Sequence, residues 1–162
     1  MRGGLRAPLV AVCGASSATD SETALAEAVG RLLAGRGATL VCGGLSGVME
    51  AACRGAAAAG GVTVGLLPGE DPGAANPHVQ LALPTGLGEA RNALIARACR
   101  GMIAIGGGHG TLSEIAFMLR LGRPVCGLGS WELISPHPEA EMASIHAAQV
   151  PEEAVAWVMD RI

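Results

Sequence analysis

MIAIGGGHGTLSEIAFMLRL, residues Met102 to Leu121, is the stretch from which the fold can be read. Its first four residues are apolar and partly β-branched, as in a buried parallel strand. Gly106, Gly107, Gly108 and Gly110 break that pattern. After Thr111, the apolar residues Leu112, Ile115, Ala116, Met118 and Leu119 recur at helical spacing. Strand, glycine loop and helix in that order hold an anion against backbone N–H groups at a helix N-terminus. Glycine lets an oxyanion approach the main chain with no Cβ in the way.

The same alternation runs outward in both directions. Upstream, Leu9–Cys13 reads as a strand ending in Gly14, Ala15, Ser16 and Ser17, and Thr19 with Glu22 forms a T-x-x-E capping box. Leu25, Val29, Leu32 and Leu33 give the helix that follows its buried stripe, and Gly35 to Gly37 end it. Ala38–Cys42 is a second strand, followed by Gly43, Gly44, Leu45, Ser46 and Gly47, then an alanine-rich helix over Val48–Ala59. Val62–Leu67 is a third strand, Pro68–His78 a proline-bearing loop and Val79–Leu83 a short strand. Gly88–Arg100 is expected as one helix with Ala90, Leu94 and Ile95 inward. Downstream come a strand at Pro124–Leu128, a loop at Gly129–Glu141 and a closing helix at Glu152–Arg161 behind Pro151.

Strands alternating with helices predict an α/β fold, a Rossmann-like three-layer, doubly wound parallel sheet in a single domain over residues 1–162. Such sheets bind ligands beyond the carboxyl ends of their strands, at the switch point in strand order. Three glycine-bearing loops fall on that edge, Gly14–Ser17, Gly43–Gly47 and Gly106–Thr111. They predict a phosphate-bearing ligand, with Gly14, Ser16, Gly43, Gly44 and Gly47 among its contacts. No loop spells G-x-G-x-x-G, and Gly43-Gly44 stands where a dinucleotide fold places the acid for its ribose hydroxyls, so NAD is disfavoured.

Composition narrows the function further. The chain has 162 residues, half of them apolar, with no Tyr, one Phe and two Trp. A net charge of −3 without a basic run, and almost no aromatic stacking platforms, argue against nucleic acid as a partner. There is no lysine, which removes a pyridoxal phosphate Schiff base and a Walker-type lysine. Five cysteines (Cys13, Cys42, Cys53, Cys99 and Cys126) are never in C-x-x-C spacing, which fits a reducing cytoplasm and neither a disulfide framework nor a metal site. Arg2, Arg6 and the apolar run APLVAV mimic a signal peptide. That run is only about six residues long, short of the roughly 7–15 expected, and reads as the first strand. No segment approaches the roughly 20 apolar residues of a membrane span. Apolar helices in excess of what one small sheet covers predict a homodimer or homotetramer.

Arg91-Asn92 followed by Gly106-Gly-Gly-His-Gly-Thr-Leu-Ser-Glu114 resembles the signature of the LOG (Lonely Guy) family, an Arg-Lys pair followed by P-G-G-x-G-T-x-x-E. The likeness spans most of the chain. LOG proteins, once labelled lysine decarboxylases, are phosphoribohydrolases that cleave the N-glycosidic bond of nucleoside 5′-monophosphates. Carried over, the resemblance implies that Gly107, Gly108, His109, Gly110 and Thr111 hold the phosphate and that Arg91 and Glu114 are catalytic. Two positions depart from the pattern: Asn92 stands for Lys and Gly106 for Pro. The A-R-N and G-G-G-x-G-T pattern is closer to a branch with molybdenum cofactor carrier proteins, which bind a pterin phosphate without hydrolysing a nucleotide. Nucleoside monophosphate and molybdenum cofactor are thus the two ligands implied.

The residues also allow plainer roles. Thr111-x-x-Glu114 is itself a capping-box pattern, so Glu114 has a second reading as the closure of its own helix. Arg91 suits bidentate phosphate binding or an ordinary exposed helix position, and Asn92 suits a ligand or a loop. His109 is expected at the loop tip, with no second ligand at metal spacing. Glycoside chemistry usually needs two carboxylates. Glu50 is a candidate partner for Glu114, although a first-turn acid complementing the helix dipole is the stronger reading of it. Glu89 is expected to project from a different side of its helix than Arg91.

Overall fold

Burial of alternate residues on each strand explains how the sheet is covered. In the computed structural model, which describes residues 7–136 and 144–162, β1 (Leu9–Gly14) runs through the middle of the molecule. Val10 and Val12 point into one core while Ala11 and Cys13 point into the other, the two-residue period of a strand buried on both faces. Leu9 to Gly14 is thus an inner strand; Arg2 and Arg6 lie outside the described residues.

The remaining elements are α1 (Asp20–Gly35), β2 (Thr39–Cys42), α2 (Val48–Ala58), β3 (Thr63–Leu67), β4 (Leu81–Pro84), α3 (Asn92–Ala98), β5 (Gly101–Ile105), α4 (His109–Arg120), β6 (Val125–Leu128), β7 (Ile145–Ala148) and α5 (Pro151–Met159). All seven strands pair in parallel in the order β4-β3-β2-β1-β5-β6-β7. The chain winds outward from β1 to β4, then returns to the other side of β1 and winds outward again through β7. Strand order therefore reverses between β1 and β5, and the loops after these two strands diverge there.

Helices α1, α2 and α5 cover the face carrying Val10, Val12, Leu40, Ile103 and Ile105. Helices α3 and α4 cover the face carrying Ala11, Cys13, Met102 and Ala104. Small residues set the spacing of α1 and α2: a Cβ on Gly30 would lie 2.0 Å from the Ala52 carbonyl, and one on Gly55 2.0 Å from that of Glu27. The helix backbones touch where a side chain would hold them apart. The predicted capping box is present, with Thr19 Oγ1 accepting from the Glu22 N–H and the Glu22 carboxylate accepting from the Thr19 N–H.

Four local expectations are corrected. Residues 88–100 form a 3-10 turn, Gly88–Arg91, that passes directly into α3. The stripe therefore rotates: Ala90 and Leu94 are exposed, and Asn92, Ile95 and Ala96 are buried. The fourth strand pairs from Leu81 rather than Val79. A seventh strand, Ile145–Ala148, lies at the edge beyond β6. The last helix starts at Pro151 itself and ends at Met159. Of the loop expected at Gly129–Glu141, residues 137–141 lie outside the described residues. Among the described residues no helix is long and apolar enough to cross a membrane.

Candidate functional site

Where β1 and β5 diverge, a cleft of about 470 Å³ opens at the carboxyl edge of the sheet. Gly14, Ala15 and Ser16 line it from the loop after β1, and Leu45 and Met49 from the second glycine loop and α2. Gly108, Gly110, Thr111 and Glu114 line it from α4, with Glu89, Arg91 and Asn92 from the turn before α3.

Helix α4 begins two residues earlier than its apolar pattern suggests. Gly108 is its N-cap and supplies no side-chain bond, so His109, Gly110 and Thr111 form the first turn. The amides of an uncapped first turn lack an intrahelical acceptor and carry the positive end of the helix dipole. A Cβ on Gly108 or Gly110 would meet nothing within 4 Å, so this end of the helix is open to a ligand. The T-x-x-E pattern does not cap the helix: Glu114 sits in its second turn, and Thr111 and Glu114, three apart, face the same cleft.

Arg91 and Glu114 meet across that cleft, both almost fully buried, with Arg91 Nη1 3.9 Å from Glu114 Oε1. The pair is an ion pair without a hydrogen bond. Arg91 Nη1 donates to Asn92 Oδ1, and Nη2 donates to the Gly43 carbonyl at 3.3 Å. Asn92 Nδ2 donates to Ser113 Oγ at 3.0 Å, and Ser113 Oγ donates to the Gly110 carbonyl at 2.7 Å. The guanidinium is thereby tied to the first turn of α4, leaving its Nε buried with no partner among the described residues. A buried donor without an acceptor is costly, on the order of 1–3 kcal/mol, unless something else supplies one. Burial pushes the Glu114 carboxyl up to about 7, against the opposing pull of Arg91 and the Cys13 thiol. Burial likewise lowers Arg91 from its ordinary value, partly offset by Glu114, yet the guanidinium keeps its charge.

Of the residues expected at a ligand, Gly14, Ser16, Arg91, Asn92, Gly108, Gly110, Thr111 and Glu114 line the cleft. Gly43, Gly44, Gly47, Gly107 and His109 do not. Gly43 sits behind the site, where a Cβ would fall 2.6 Å from Arg91 Nη2. Gly44 lends its carbonyl to the Asn76 N–H. Gly47, at φ +68°, lies so close to the loop after β1 that a Cβ would come within 2.3 Å of the Ala15 carbonyl. Gly107 faces a separate hollow shared with Glu22, Ser130 and Trp131. His109 is exposed, its ring 6.1 Å from that of Trp131. No group of three metal-ligating side chains occurs among the described residues.

The departure at Gly106 has a backbone cause. Its φ is +52°, a value proline cannot reach, and a Cβ there would collide with the Glu22 carboxylate. Contrary to expectation, Glu89 lines the cleft with Arg91, because both ride on a 3-10 turn instead of a straight α-helix. Ser113 was not foreseen as Asn92's anchor. Its bond spans 21 residues and leaves no periodic signal.

Comparison with known proteins agrees with this architecture. The SLOG cluster4 family model matches residues 7–155. An uncharacterized protein of Archaeoglobus fulgidus is 36% identical over 148 residues, covering 91% of this chain and 92% of that protein. The structure of the molybdenum cofactor binding protein from Rippkaea orientalis superposes with a TM-score of 0.86 at 35% identity, covering 96% of this chain and 98% of that one. The Moco carrier protein of Chlamydomonas reinhardtii gives 0.83 at 33% identity, over 96% and 97% of the two chains. Matched from its first strand into its last helix, and similar over nearly its whole length to molybdenum cofactor binding and carrier proteins, the chain belongs to the SLOG cluster4 family.

Proposed function

We propose that this protein binds and carries a phosphorylated pterin of the molybdenum cofactor type. The observation that carries this reading is Arg91, a buried guanidinium whose Nε has no partner among the described residues and which lines the same cleft as the uncapped start of α4. A phosphate monoester offers acceptors to both. The fork of the guanidinium suits phosphate oxygens, and the amides of Gly110 and Thr111, which line the cleft, add donors that need no side chain. The pterin part of the reading is supported by the similarity to molybdenum cofactor binding and carrier proteins over nearly the whole of both chains. Protein made in a molybdopterin-producing host should show pterin fluorescence after oxidation and saturable uptake of the cofactor. Arg91→Lys should weaken that uptake about tenfold, because an ammonium lacks the fork. Absence of both fluorescence and uptake removes the carrier reading.

One observation favours a second activity. A carboxyl raised to about 7 beside a buried arginine is poised for proton transfer near neutrality. In a phosphoribohydrolase, water would add to the ribose anomeric carbon as the N-glycosidic bond breaks and the base leaves with a proton. Incubation with AMP and related monophosphates tests this: no free base under any condition removes hydrolysis and leaves binding alone.

The reading extends to self-association and compartment. Helices α3 and α4 pack on β1, β5 and β6, so Leu81 and Leu83 of β4 stay about half exposed on that sheet face, and Leu94 of α3 is exposed as well. A homodimer or homotetramer would cover them. A monomeric mass in light scattering would remove this part. All five cysteines are free and buried, which suits the cytoplasm.

A further inference from the structure

Beside the main cleft lies a second hollow of about 310 Å³, lined by Ser16, Leu45, Ser46, Glu50, Ala74 and Asn76. Ser16 and Leu45 line both spaces, so the second hollow adjoins the main cleft. Arg91 and the start of α4 line the main cleft, and Glu50 lines the second hollow. The other polar side chains of the second hollow are largely committed. Asn76 Nδ2 donates to the Leu45 carbonyl at 2.9 Å, and its Oδ1 accepts from the His78 N–H at 3.1 Å. Ser46 Oγ donates to the Ser16 carbonyl at 2.8 Å. Glu50 differs: half-buried in the first turn of α2, it forms no hydrogen bond or ion pair with any described residue.

We infer that Glu50 is a specificity-determining residue that accepts two N–H groups from the aminopyrimidinone edge of the ligand, the ring N–H and adjacent exocyclic amino group that pterins and guanine share. This rests on the phosphate being held at Arg91. A carboxylate has two acceptor oxygens and no donor, so it matches an edge presenting two adjacent donors. Adenine presents an amino donor beside an acceptor nitrogen, and hypoxanthine has the ring N–H without the amino group. Both leave one carboxylate oxygen unpaired. Glu50 also repels a phosphate, so the ligand enters in one direction only, anion towards Arg91 and heterocycle towards α2.

Calorimetric titration of GMP, IMP, AMP and neopterin phosphate into the wild-type protein and Glu50→Gln tests this. GMP and neopterin phosphate should bind wild type about tenfold or more tighter than IMP and AMP. Glu50→Gln should abolish that preference, and a circular dichroism spectrum and melting temperature matching wild type show that the variant is folded. The tighter of GMP and neopterin phosphate identifies whether the edge belongs to a guanine or a pterin. Equal binding of GMP and IMP, or a preference that survives Glu50→Gln, overturns the role of Glu50 and leaves the phosphate site standing. Failure of all four to bind wild type overturns both.

Discussion

Replacing Glu114 by glutamine should make this protein more stable above neutral pH, although it removes one member of a buried ion pair. Burial raises the Glu114 carboxyl from an ordinary 4.5 to about 7, and that value already contains the attraction of Arg91. The folded chain therefore holds a proton across an interval in which the unfolded chain has released it. With more protons bound when folded, stability falls as pH rises from 4.5 towards 7 and then levels off. The difference between the two values corresponds to about 3 kcal/mol, a large share of the roughly 5–15 kcal/mol that holds a domain together. Glutamine mimics the protonated acid in size and polarity and cannot ionise. Urea unfolding of both proteins should give equal stabilities at about pH 4.5. Above neutrality the variant should gain about 3 kcal/mol. Taking the difference between the two proteins cancels every other titrating group common to both. A difference that does not change with pH, or a wild type that is the more stable above neutrality, would refute the reasoning. The predicted cost is what a functional residue carries: a charge kept where packing alone would exclude it.

The same proton should be linked to binding. A phosphate dianion that engages Arg91 draws it away from Glu114 and raises that carboxyl further, so affinity for neopterin phosphate should fall by up to about tenfold per pH unit above 7, and stay flat in Glu114→Gln. Gly43→Ala places a Cβ 2.6 Å from Arg91 Nη2 and 2.8 Å from Met49 Sδ, both ends of flexible side chains. It should weaken phosphate binding in calorimetry while lowering the melting temperature little. Gly55→Ala has no such escape, because the Cβ would lie 2.0 Å from the backbone carbonyl of Glu27. Parting α1 from α2 should cost about 1–3 kcal/mol, read as a fall of several degrees in the melting temperature. Asn92→Lys sets a second cation beside Arg91, and should move the pH midpoint of the stability curve down towards the ordinary carboxylate range.

What could be read in advance, and what could not, follows from the range of the interactions. Leu9–Gly14, Thr39–Cys42 and Gly101–Ile105 are short apolar runs ended by small residues, a signal written in consecutive positions. The glycine-bearing loops at the switch edge were legible for the same reason. Ile145–Ala148 was not: four residues with a histidine among them, half-exposed at the edge of the sheet, carry too little apolar contrast to mark a strand. Thr111-x-x-Glu114 illustrates a different limit. Three residues along a helix is both the spacing of a capping box and the spacing of two side chains on one face, and only the true start at His109 separates them. Gly43 and Gly47, expected as ligand contacts, do not line the cleft; they let Arg91 and the Ala15 loop come close. The tie from Asn92 to Ser113 joins two helices and has no local trace at all.

The exchange of lysine for Asn92 bears on whether such a site holds its ligand or cuts it. Cleavage of a glycosidic bond builds positive charge on the sugar, which a carboxylate stabilises only while ionised. A lysine ammonium next to Arg91 would keep Glu114 ionised through much of the physiological range. An amide cannot, and Glu114 stays close to half protonated at neutrality. The amide also fixes Arg91 through Oδ1 and α4 through Nδ2 and Ser113, so both groups proposed to take the phosphate are held in register with each other. An un-ionised Glu114 ceases to repel a phosphate dianion and ceases to assist a cationic sugar, and both effects act in the same direction. The other carboxylate of the main cleft, Glu89, lies on the exposed rim, where solvent screens it. On the proposed reading, the charge pattern of this cleft therefore favours retention of a phosphorylated ligand over its hydrolysis, with the proton on Glu114 as the quantity that would set how tightly it is held.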